Sequence, residues 1–88
     1  MQEKQLEKEL KALANRRRLA ILKLLKNRNQ APVKEISDEI KLSFKATSKH
    51  LGILYAADLV DREQVSWAVF YRLSQDLPTG IRQVISIL

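Results

Sequence analysis

Two sets of cations carry the chemistry that this 88-residue chain can do. Lys45, Ser48, Lys49 and Gly52 recur at spacings of three, one and three, which on a helix form one face. Lysine ammoniums placed there can donate to phosphate or to guanine O6 and N7, and Ser48 is small enough to reach a base edge. The second set is Arg16, Arg17 and Arg18, followed by Lys23, Lys26 and Arg28, so residues 16–30 hold six positive charges and no acid. Sixteen Lys and Arg against ten Asp and Glu leave the chain at +6 with a pI near 9.9, a surplus that suits a polyanionic partner. A charge run more often only keeps a surface soluble, so its position must decide. Residues 1–15 balance three Lys against three Glu, and residues 58–66 set Asp58, Asp61 and Glu63 against Arg62 alone. The excess is confined to the two segments.

Other chemistries lack their residues. The chain has no cysteine, which excludes a disulfide scaffold, a thiolate nucleophile and a cysteine-ligated zinc, and fits a reducing cytoplasm. His50 is the only histidine and cannot form a metal site alone; packing at a helix edge or contact with a phosphate is its expected role. Without a glycine-rich phosphate loop or paired carboxylates in an evident cleft, an enzyme is set aside and no cofactor is expected. The longest apolar run, Leu19 to Leu25, is broken by Lys23 and far short of a bilayer span. The alternating Glu and Lys of the first eleven residues resemble no targeting signal, and Met1 is taken as the start.

The elements that must position these cations follow from periodicity. At this length a single domain spanning residues 1–88 is expected, since two would each be too small to bury a core. Leu6, Leu10, Leu13 and Ala14 make an amphipathic stripe from Glu3 to Ala14, with charged residues around it. Asn15 suits an N-cap for a second, largely buried helix from Arg16 to about Asn27. A polar connection ending at Pro32 runs extended into a short helix at 33–40, with Val33, Ile36 and Ile40 inward. Lys41-Leu42-Ser43 forms a tight turn, and Ser43 caps a fourth helix from Phe44 to about Ala56, with Thr47, Leu51 and Leu54 on its inner face. After Asp58 the period changes to two, giving a hairpin that turns near Val65 to Trp67. A last helix follows Thr79-Gly80, with Ile81, Val84, Ile85 and Leu88 on one face.

Two helices joined by a three-residue turn and followed by a hairpin make a winged helix-turn-helix, mainly α with a small β-hairpin: five helices and a wing. Several segments in the right order then look familiar. Leu13-Ala14-Asn15-Arg16-Arg17-Arg18-Leu19, Leu42-Ser43, Ser48-Lys49-His50-Leu51, Asp58-Leu59-Val60 and Tyr71-Arg72-Leu73 resemble the ArsR-like family of winged-helix transcriptional repressors. The resemblance covers roughly residues 10–73. It implies a homodimeric repressor that pairs through its first and last helices and places its recognition helices in successive major grooves of double-stranded DNA.

On this reading the DNA-binding candidates are Ser43, Lys45, Ala46, Thr47, Ser48 and Lys49, with Arg62 and Gln64 in the wing and Arg16 and Arg17 beside the helix pair. Ala46 and Thr47 are the weaker ones, because Thr47 is also needed for packing. Phe44 is either a thymine-methyl contact or a packing residue. Gly52 inside a helix costs about 1 kcal/mol relative to alanine, which a close approach of backbone or DNA would justify. Leu6, Leu10, Leu13, Ile81, Val84, Ile85 and Leu88 are the candidate dimer interface, unless both stripes simply complete the monomer core.

The chain departs from the family in two places. Many members sense metals through Cys-x-Cys at the start of the third helix, where this chain has Pro32 and Lys34, and residues 77–88 lack the Asp and His of the family's other site. No metal sensing is expected, and the sequence names no effector. The family's wing usually carries Arg or Lys and a tip glycine, whereas this one reads Asp61-Arg62-Glu63-Gln64-Val65-Ser66-Trp67. Asp61 and Glu63 would repel phosphate. Trp67 is expected to pack in the hairpin, the alternative being an exposed contact. The rival function is a winged-helix module that binds protein through Trp67, Phe70 and the acidic wing. Fold alone does not separate it from a DNA binder.

Overall fold

Capping chemistry sets the helix starts. In the computed structural model, which describes residues 2–88 and leaves Met1 and its role as the start outside them, Asn15 Oδ1 accepts from the Arg17 and Arg18 amides at 2.9 and 3.1 Å. Ser43 Oγ accepts from the Ala46 amide at 3.1 Å. Each satisfies backbone donors that a helix start leaves unpaired. The elements are α1 (Glu3–Leu13), α2 (Arg16–Arg28), β1 (Gln30–Pro32), α3 (Val33–Ile40), α4 (Phe44–Ala56), β2 (Val60–Val65), β3 (Ala68–Leu73) and α5 (Thr79–Ser86). The five helices and the hairpin lie where the periodicity placed them. Among the described residues no helix is long and apolar enough to cross a membrane.

The wing is larger than a hairpin. β1 adds a third antiparallel strand in the order β1-β3-β2, with Ala31 opposite Tyr71 and Arg62 opposite Tyr71 on the other side. Pro32, opposite Phe70, stands at the end of an edge strand, where proline is tolerated. This pairing ties the wing to the start of α3 and fixes its angle to the helices.

The core is built around α2, whose Ile21, Leu22, Leu24 and Leu25 are enclosed by α3, α4, α5 and β3. Leu51 and Leu54 of α4 are buried beside Ile36, Leu59 and Val60. Burying each such leucine contributes roughly 1.5–3 kcal/mol. Three residues expected at a dimer interface belong to this core instead: Leu13, Ile81 and Ile85 are buried within their own chain.

α1 is also rolled relative to expectation. Gln5, Glu9 and Ala12 face the body of the chain, while Leu6 and Leu10 lie roughly a third of a turn away at 3.6 residues per turn, and Leu10 remains 49% exposed. Glu9 is only 3% exposed; its Oε2 accepts from Gln5 Nε2 at 3.3 Å and its Oε1 has no partner among the described residues. An unpaired buried oxygen of this kind costs about 1–3 kcal/mol.

Candidate nucleic-acid interface

The site starts at the turn between α3 and α4. Lys41 ends α3 in the left-handed conformation, and the Leu42 amide donates to the Ser37 carbonyl at 3.0 Å, so the chain reverses within three residues and Ser43 is in place to cap α4. Packing then orients α4. With Thr47, Leu51 and Leu54 enclosed, Lys45 and Lys49 must lie on the opposite side, and both are exposed. Neither has a carboxylate within salt-bridge distance among the described residues. Ser48 and Gly52 flank them, half-buried, and a Cβ added at Gly52 would meet nothing within 4 Å in its own chain. No close approach inside the monomer explains that glycine.

The structure sorts the other members of the expected set and corrects Thr47. Thr47 is completely enclosed, and its Oγ1 has no partner among the described residues, so its hydroxyl belongs to the core and is out of reach of a groove. Ala46 is half-buried on the flank, and Ser43 is exposed with its hydroxyl committed to the cap. In the wing, the Arg62 guanidinium lies 3.9 Å from the centre of the Tyr55 ring, a cation–π stack that joins β2 to the end of α4. Arg72 pairs with Glu63 at 3.8 Å. Gln64 is exposed and unconstrained. Trp67, expected to pack in the hairpin, is 99% exposed at the tip, because the two-residue turn Ser66-Trp67 projects it beyond both strands.

Arg16 and Arg17 are exposed and border a groove between α2 and the end of α3, floored by Ala20 and Ile40 and flanked by Lys41. Arg18 does something different, which reading the run as one block of charge missed. Its Nε donates to the Ala12 carbonyl at 2.6 Å and its Nη2 to the Lys11 carbonyl at 3.3 Å, closing the C-terminus of α1. Its Nη1 donates to His50 Nδ1 on α4 at 3.2 Å. His50 therefore sits at the helix edge as an acceptor. Burial first, then the charges of Arg18, Arg17 and Lys49, hold its pKa below the usual imidazole value and keep it neutral.

Among the described residues no three His, Asp or Glu side chains converge. Pro32 stands at the N-cap position of α3 without a capping hydrogen bond, and Lys34 pairs with Asp38 at 3.2 Å.

Known proteins share this arrangement. The family model for the arsR family of bacterial regulatory proteins matches residues 15–62, from the cap of α2 to the middle of β2. The chain is 40% identical over 79 residues to the transcriptional activator HlyU of Vibrio cholerae, a match covering 90% of this chain and 69% of that protein. The solved structure of HlyU from Vibrio cholerae matches with a TM-score of 0.83 at 36% identity, over 99% of this chain and 92% of that one. A homodimeric winged helix-turn-helix DNA-binding domain from Mycobacterium bovis, described as a possible ArsR-family transcriptional regulator, matches with a TM-score of 0.82 at 26% identity, over 96% of this chain and 74% of that one. The fold is thus that of a transcriptional regulator, and the chain belongs to the arsR family of winged helix-turn-helix regulatory proteins.

Proposed function

We propose that the chain acts as a homodimer that binds double-stranded operator DNA and represses transcription in the cytoplasm. The observation that carries this reading is the outer face of α4, where Lys45 and Lys49 are exposed without an acidic partner among the described residues while Thr47, Leu51 and Leu54 hold the helix from the other side. Lys45, Ser48 and Lys49 make the groove contacts, with Ser43 and Ala46 at the helix start. Arg16 and Arg17 reach flanking phosphates, and Gln64 meets the DNA from the wing.

Leu6 and Leu10 on α1, with Val84 on α5 and the half-buried Leu88 beyond its end, form the dimer surface, joined by Ile87, which is 82% exposed and was not singled out from the sequence. Leaving this much aliphatic surface wet is unfavourable, and a twofold partner covers it. Residues 1–88 then act as one DNA-binding domain with dimerisation helices at both ends. Metal sensing is absent from the reading because the third-helix positions hold a proline and a lysine that is paired with Asp38.

Titrating labelled genomic duplex at two salt concentrations tests the function, with sedimentation of the free protein testing the dimer. Affinity falls steeply as salt rises if several phosphates are contacted. No binding to any fragment, with a folded dimer present, favours the protein-binding alternative. HlyU of Vibrio cholerae is named an activator, so a promoter reporter decides the direction of regulation.

A further inference from the structure

The wing lacks free cations near its tip but presents the most exposed large apolar side chain among the described residues. Arg62 is stacked on Tyr55 and Arg72 is paired with Glu63, so neither is free to meet a phosphate without giving up its present contact. At the tip, Trp67 is 99% exposed and Val65 is 50% exposed. Trp67 also borders a shallow apolar cleft whose other walls are Pro32, Val33, Phe44, Ala68 and Val69, with Lys34 as the only charged lining residue. Phe44 is the first residue of α4 and is itself 57% exposed, so the cleft runs from the wing tip to the start of the helix that carries Lys45.

We propose that Trp67 and Phe44 form an apolar clamp on the wall of the minor groove, the indole packing against deoxyribose edges next to the major-groove segment that α4 occupies. This rests on the DNA-binding reading above. Continuity selects the occupant: the cleft opens beside Lys45, and duplex seated on α4 continues across it. Sugar edges are the uncharged part of that duplex. They suit this wing because an apolar contact needs no free cation, and Glu63 is already paired with Arg72. Apolar side chains are a recurrent means of engaging the minor-groove side of DNA. The wing then contributes affinity through buried area and adds little to the salt dependence.

Trp67 is the only tryptophan, so its emission reports on the tip alone. The experiment uses the full chain and a duplex whose binding is followed independently by the anisotropy of a label on the DNA. At saturation the indole emission should shift to the blue or be quenched. Trp67→Ala should weaken binding roughly tenfold, equivalent to losing about half of a buried indole, by the same factor at low and high salt. Trp67→Phe should retain most of the affinity, and circular dichroism should show both variants folded. If the duplex binds while the emission is unchanged and Trp67→Ala binds as well as the parent, the clamp is wrong and DNA binding stands. A Trp67→Ala loss confined to low salt also overturns it, since the contact would then be electrostatic. Absence of any anisotropy change with the parent protein overturns both the clamp and the reading it rests on, and an emission shift caused instead by an added protein partner assigns the tip to that partner.

Discussion

The recognition helix and the wing meet the same side of the molecule with opposite chemistry. On α4 the cations are free and the packing side, Thr47, Leu51 and Leu54, is buried; on the wing the cations are engaged and the largest apolar residue is free. The difference follows from how each element is held. A helix packed through Thr47, Leu51 and Leu54 needs nothing from its outer face, so Lys45 and Lys49 remain available. A three-stranded sheet at the edge of a small domain has little core of its own, and the Arg62–Tyr55 stack and the Arg72–Glu63 pair brace it against α4 and itself. The same residue types therefore serve binding in one place and bracing in the other.

The largest effect should come from α4. Replacing Lys45 and Lys49 together with alanine is expected to lower affinity roughly a hundredfold and to reduce the salt slope by about 2, with the dimer intact by sedimentation. Unchanged binding would mean that the contrast between the two elements has been drawn on the wrong face. Next, Glu63→Lys frees Arg72 and adds a cation to the wing. It should raise affinity several-fold and steepen the salt slope by about 1, measured by the same titration. No gain would place the wing away from the phosphates altogether.

Two further substitutions separate packing from contact on α4. Gly52→Ala should stabilise the fold by about 1 kcal/mol in chemical denaturation, because the added methyl has open space. If DNA approaches that face closely, the more stable variant binds more weakly. Thr47→Val removes a buried hydroxyl without a partner and should stabilise by up to about 1 kcal/mol while leaving DNA affinity unchanged. A loss of affinity there would return Thr47 to the contact surface. The smallest expected effect concerns His50. With its folded pKa depressed, the unfolded chain binds a proton that the folded chain does not as pH falls below about 6.5, so stability declines over that window. His50→Gln should flatten that part of the pH–stability curve.

These contrasts mark how far the sequence could be read. Helix starts at Arg16 and Phe44 were legible because Asn15 and Ser43 act on amides two and three residues away, and local chemistry is written locally. β1 was not, since three residues containing a proline become a strand only through β3, some forty residues later. Periodicity located an apolar stripe on α1 but could not say what it faces, and Gln5, Glu9 and Ala12 took the inward side. The outward placement of Lys45 and Lys49 was legible because Leu51 and Leu54, with Thr47, define the buried side of α4. The roles of Arg18, Tyr55 and Arg62 depend on contacts between elements far apart in the chain, and residue type alone does not reveal them.

Arg18 also bears on operator architecture. By holding two carbonyls of the first helix and the imidazole of the fourth, it ties the surface that would meet a second copy to the surface that would enter the groove. In a twofold assembly the separation of the two reading heads is then a property of the protein, set before DNA arrives. An operator lengthened by one base pair at its centre would turn one half-site by roughly 35°, and the duplex would have to supply that twist.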